Sequence, residues 1–214
     1  MPGSRLLTTD DWPEAELRAA VLAGELVPVG PCWASPATPQ DPALRATAAA
    51  WVLGDARLVA AGRTAAWIWG ATSRPPDPFE ASVPPQLRIA AGPALHLREV
   101  ALEPVDVVRL GSAQTTVTTP ARTAVDLLRT PGPTNPSRID AVAGLLAIGA
   151  VTGDELRERL SALGTIPMVR QAERRLRALL SERRPDGLSA QPSVTGLPVR
   201  SAGADGSARP LSRR

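Results

Sequence analysis

Lysine and tyrosine are missing from this sequence, and cysteine, histidine and phenylalanine occur once each. A single thiol, Cys32, excludes an intramolecular disulfide and suits a reducing compartment. A single imidazole, His96, has no Cys, His or carboxylate cluster in the sequence around it to complete a metal site. Nor is a Ser or Cys evidently posed beside it for nucleophilic chemistry, so both His96 and Cys32 read as structural or surface residues. Aromatic residues make up only 3% of the chain, so its core has to be built from Leu, Val and Ala. The longest apolar run, Ala141 to Val151, is 11 residues, well short of the ~20 that span a bilayer. Asp10 and Asp11 fall where an export signal needs its apolar segment, so a cytoplasmic protein without membrane contacts is expected. No phosphate-cradling glycine loop or paired-carboxylate motif is evident, and neither catalysis, cofactor nor metal is expected.

What is present is a hydrophobic content of 43% over 214 residues, enough for one medium domain or two small ones. All 24 basic residues are arginine, which with the abundant Ala, Gly and Pro reflects codon usage in a GC-rich genome. The net charge of +3 conceals a gradient. Up to residue 156 there are 12 Arg against 16 acids, a balance of −4; from Arg157 onward there are 12 Arg against 5 acids, a balance of +7. A polyanion would be drawn chiefly to the C-terminal quarter.

Along the chain, Pro13 to about Ala23 reads as a helix stopped by Gly24, with Leu17, Ala20 and Val21 inward. Glu25 to Val29 and Cys32 to Ser35 follow as two short strands around Gly30-Pro31. A linker (Pro36 to Pro42), an alanine-rich helix (Ala43 to Leu53), a short strand (Leu58 to Ala61) and a short helix (Arg63 to Gly70) come next. Trp67 and Trp69 lie two apart and cannot share a helical face, so one should pack inward and the other against a neighbouring element. Strand signals then appear at Gln86 to Ala90, Leu95 to Val100, Val105 to Leu110 and Gln114 to Thr118, with turn residues between them at hairpin spacing. Helices are expected over Ser137 to Gly149, Thr152 to Leu163 and Ile166 to Arg183, the second opened by a Thr152/Glu155 capping box. The fold class is thus α+β: an N-terminal winged-helix-like unit (1–72), a Pro-rich connection (73–85), a lobe with a small, mostly antiparallel sheet and a C-terminal helical bundle (86–184), and a disordered tail (185–214).

The junction Thr118-Thr119-Pro120-Ala121-Arg122-Thr123-Ala124-Val125-Asp126-Leu127 turns a strand directly into a helix. Thr119 can cap it, Pro120 suits its first position, and Arg122 and Asp126 are one turn apart, close enough to pair. This wording resembles the "TTPxRTxxDL" junction of actinobacterial relatives of the AbiEi antitoxins, the DNA-binding halves of type IV toxin–antitoxin systems. Gly24 to Gly30 lies where those proteins carry a helix-to-wing turn, and Arg63 to Gly70 resembles their "hRSAAWLhG" segment. Together the three pieces cover roughly residues 10 to 180. The resemblance implies an N-terminal winged helix that binds operator DNA, autoregulation, and a C-terminal lobe that engages a cognate toxin or supplies further DNA contacts.

Two features of the charge pattern bear on that implication. The wing tip, Pro28 to Cys32, carries no charge, the helix before it offers only Arg18, and residues 1–60 hold 4 Arg against 7 acids. The basic wing of the family is absent. On the last helix, by contrast, Arg170, Arg174 and Arg177 recur at i, i+4 and i+7, with Arg184 extending the row. Either this stripe is a solvated face, or, with Arg175 beside it, it is a ridge for phosphates or for an acidic partner. A DNA-binding regulator and a protein-interaction module of the same fold that has lost DNA binding are the two readings left open. A nuclease is a remote third that no residue supports.

Overall fold

The computed structural model describes residues 6–182; Arg184 and the tail expected at 185–214 lie outside the described residues. Helix α1 (Glu14–Leu22) has no side-chain cap, buries only Leu17 fully and leaves Leu22 exposed. Gly24 then takes a φ of +78°, and the chain enters the hairpin of β1 (Val27–Val29) and β2 (Cys32–Ala34). Val29 pairs with Cys32 across Gly30-Pro31, and Gly30 adopts the positive φ, +61°, that such a two-residue turn requires.

Helix α2 (Pro42–Leu53) starts at Asp41, whose carboxylate accepts from Leu44 N at 2.8 Å, with Pro42 at the first position. It ends at Gly54 in the left-handed region. The face it buries is mostly alanine (Ala46, Ala48, Ala49), which lets strands lie close against it: Thr115 Oγ1 donates to Ala46 O at 2.9 Å.

The main sheet has five strands in the order β5-β4-β3-β7-β6, drawn from Val59–Ala60 (β3), Phe79–Val83 (β4), Leu95–Glu99 (β5), Val107–Leu110 (β6) and Thr115–Thr118 (β7). Two pairings are antiparallel (β3 with β4, β6 with β7) and two are parallel (β3 with β7, β4 with β5). The α+β class holds, and the sheet is mixed where hairpin spacing suggested a largely antiparallel one. Residues 73–85, expected as a connection, contain β4, all five residues of which are buried in the sheet. Gln86 to Ala90 is not a strand. Pro84 and Pro85 have no N–H to give a ladder, and Leu87 N turns back onto Pro84 O at 2.9 Å.

The two faces of the sheet differ chemically because side chains alternate along a strand. Phe79, Ala81 and Val83 of β4, Val117 of β7 and Ala60 of β3 join the hairpin and α2 in one apolar core. The intervening residues Glu80, Ser82 and Thr118 point the other way. Behind that second face lie α4 (Pro120–Leu128), α5 (Pro136–Ala147), α6 (Gly153–Ala162) and α7 (Val169–Glu182), which build a second core around Leu128, Val142, Leu145, Leu156, Leu160 and Leu176. Helix α3 (Gly62–Ile68) belongs to both: Trp67 is buried in the first core, edge-on to Phe79 with ring centroids 6.1 Å apart, and Ala66 is buried in the second. Trp69 lies half-buried against both and donates its indole N–H to Thr118 O at 2.8 Å. The two tryptophans divide their roles as their spacing required. Helix α6 is capped by Thr152, which accepts from Glu155 N at 3.1 Å. Helix α7 begins at Val169, later than Pro167 suggested, because Met168 has a φ of +70° that no helix accommodates.

Candidate functional site

The two strand-to-helix junctions singled out from sequence come together on the polar face of the sheet. At the first, Gly62 turns with a φ of +55° so that the α3 N-terminus meets Glu80 on the neighbouring strand. Glu80 is 6% exposed and accepts from Arg63 N (2.9 Å), Arg63 Nε (2.7 Å) and Arg138 Nη2 (3.3 Å). Its own N–H donates to Thr64 Oγ1 at 2.6 Å. A Cβ on Gly62 would sit 2.0 Å from Glu80 Oε2, so any other residue here would have to push that carboxylate off its donors as well as adopt a φ that side chains disfavour.

At the second junction, Thr119 caps α4 by accepting from Arg122 N at 3.4 Å, and Pro120 occupies the first position. Arg122 donates to Asp126 at 2.8 Å and to the buried Asp106 at 2.6 Å, and Arg159 of α6 approaches Asp106 at 3.5 Å. Desolvation pulls the Arg122 pKa down, but the charges and hydrogen bonds of Asp126 and then Asp106 outweigh it, and the net shift is upward. Asp106 also receives Glu103 N, and its carbonyl accepts from Thr119 N, so the turn before β6 is tied to the junction from both ends. These contacts lock α3, α4 and α5 to the sheet; each of the three carboxylates is already met by arginine.

Of the candidate binding residues, Arg170, Arg174 and Arg177 lie exposed along one flank of α7 and have no carboxylate partner among the described residues. Arg175 is used differently. It turns to the end of α4 and donates to Leu128 O (2.7 Å), a carbonyl the helix leaves open, and to Thr130 O (2.8 Å) and Gly132 O (2.7 Å) of the turn that follows. Its place among phosphate-binding residues is corrected to a structural one. Arg18 is exposed and paired one turn away with Glu14 at 2.7 Å.

The hairpin turn does not project as a free wing. Val29 and Cys32 are buried in the first core, and a Cβ on Gly30 would lie 2.9 Å from the Trp67 ring and 3.7 Å from Pro75. Burial first, and Asp11 second, push the Cys32 thiol up to about 11, which keeps it protonated and unreactive. His96 is exposed on β5. No group of three or more His, Cys, Asp or Glu that could hold a metal occurs among the described residues, nor is any described helix long and apolar enough to cross a membrane. Glu80, Arg138, Asp106 and Arg159 were not singled out from sequence. The available signal was Glu80 itself, an acid inside the otherwise uncharged run Phe79 to Val83.

A search of curated proteins gives no match. Among solved structures, the RV2827C protein from Mycobacterium tuberculosis aligns at 19% identity over 83% of this chain and 76% of its own, with a TM-score of 0.39, too distant to carry any inference about fold or function. A model of the AbiEi antitoxin C-terminal domain matches residues 58–182. That match opens at β3 and runs through the Arg63–Glu80 junction, the Thr119 junction and α7, crossing the boundary placed from sequence at residues 72–73. The chain belongs to the AbiEi antitoxin family.

Proposed function

We propose that this antitoxin-family chain is a DNA-binding regulator that grips phosphates through the arginine ridge of α7 and not through its hairpin. The observation that carries the reading is the exposure of Arg170, Arg174 and Arg177 on one flank, with no carboxylate partner among the described residues. Seven residues of helix advance about 10 Å, so the three guanidiniums form a short track. Each guanidinium can hold phosphate oxygens bidentately, and the positive balance from Arg157 onward strengthens the local field. The hairpin offers nothing comparable: its turn is uncharged and seated on Trp67. The test is a mobility-shift assay at low salt with the promoter region of the protein's own gene. Retardation is expected, and the triple variant R170Q/R174Q/R177Q should need a markedly higher protein concentration to produce it; no retardation by the unaltered protein refutes the reading.

The seated, uncharged hairpin favours a second reading, a protein-interaction module in which the same ridge meets an acidic surface, such as that of a cognate toxin. It is distinguished by charge reversal at Arg174 and Arg177, which would then break a complex with the partner protein and leave DNA affinity unchanged.

A further inference from the structure

Over the polar face of the sheet is a partly open cleft of about 300 Å³, bounded by β4 and β5 on one side, by α4 on another and by the Pro167-Met168 loop. Because β4 and β5 run parallel with Ser82 opposite Arg98, those two side chains share the face that carries Glu80. Arg98, Arg122, Arg129 and Arg138 line the cavity, with Glu80 and Asp126 the only carboxylates among its lining residues. The lining thus carries a formal surplus of two positive charges. Arg122 and Arg138 are spoken for by Asp106, Asp126, Glu80 and the Thr130 hydroxyl. The surplus resides on the other two. Arg98 has no ion pair among the described residues, and Arg129 makes a single long contact, to Pro167 O at 3.4 Å, while its Nε is buried without an acceptor. The Ser82 hydroxyl adds a donor without a partner among the described residues. Val100, Leu127 and Met168 supply an apolar wall.

We propose that this cavity binds a small phosphomonoester, with the phosphate on Arg98 and Arg129 and the organic part against Met168 and Val100. A monoester carries a charge of roughly −1.5 to −2 at neutral pH, which matches the surplus, whereas a carboxylate or a phosphodiester would leave about one positive charge unmet. The size fits: small-ligand pockets begin at about 300 Å³. The site is separate from the α7 ridge, since none of Arg170, Arg174 and Arg177 lines it.

Isothermal titration of the full chain with AMP, adenosine and inorganic phosphate tests the proposal. AMP is expected to bind saturably and adenosine not to bind. Arg98→Gln and Arg129→Gln should each weaken AMP by roughly tenfold or more, the loss expected for one charge-assisted hydrogen bond. Arg98 is exposed, so its variant removes no internal contact, and Arg88→Gln, on an exposed arginine off the cavity, should bind as the unaltered protein does. Absence of AMP binding, equal binding of adenosine, binding of inorganic phosphate without AMP, or an Arg98→Gln variant that binds AMP normally would each overturn it.

Discussion

Replacing Glu80 by glutamine changes neither the size nor the shape of the side chain and removes one charge from the point where α3, β4 and α5 meet. Three donors converge on that carboxylate, two of them guanidinium groups on side chains only 26% (Arg63) and 18% (Arg138) exposed. Removing one member of a buried ion pair costs about 3–5 kcal/mol, chiefly because the other charge is left unmet. Partial exposure of both arginines puts Glu80→Gln at the lower end, about 3 kcal/mol. At about 2–4 °C per kcal/mol for a chain of this size, the melting temperature should fall by roughly 6–12 °C. Thermal unfolding followed by circular dichroism reads this directly. Glu14→Gln, which breaks only the exposed pair with Arg18, is the control and should shift the midpoint by less than about 2 °C. If Glu80→Gln melts with the control, the carboxylate is not what ties these elements together, and the physical account of the Arg63 motif is wrong.

Two further outcomes follow from the packing. A Cβ on Gly144 would meet Ala71 O at 2.0 Å, a backbone atom that cannot swing away; Gly144→Ala should therefore destabilise by about 1–3 kcal/mol or more in urea unfolding, against the usual gain for Gly→Ala within a helix. Cys32 should resist iodoacetamide at pH 8.5 in the native protein and react at once in denaturant. Its folded pKa lies above the unfolded one, so the stability gained by keeping the thiol neutral is intact below about pH 9 and is lost as the pH rises through 11.

What could be read from sequence was what is decided within a turn or two of chain. The Thr119-Pro120 cap, the Arg122–Asp126 pair and the Thr152 cap all depend on neighbours at i+3 or i+4; the first two form as expected, and at Thr152 the structure shows the cap half of the expected capping box. The division of Trp67 and Trp69 between two surroundings followed from their spacing alone. What was hidden depends on partners brought together by topology. β3 is only two residues long, yet it sits at the centre of the sheet and joins β4 to β7, so no local pattern announced the mixed pairing or that the sheet crosses residues 73–85. Glu80 was visible as an oddity in an apolar run, but its partners Arg63 and Arg138 lie on different helices. Arg175 illustrates the same limit on the binding side. It is one residue from Arg174, and only the open carbonyls at the end of α4 distinguish an arginine that holds its own backbone from one that faces outward.

The central claim, that the α7 ridge neutralises phosphates, is most directly tested by the slope of log K against log salt for promoter DNA, measured by fluorescence anisotropy. Each phosphate contact on duplex DNA contributes about 0.9 to that slope, so R170Q/R174Q/R177Q should flatten it by roughly 2.7 while its melting temperature stays that of the unaltered protein. An unchanged slope in the folded triple variant would contradict the account, since DNA would then be held by some other part of the chain.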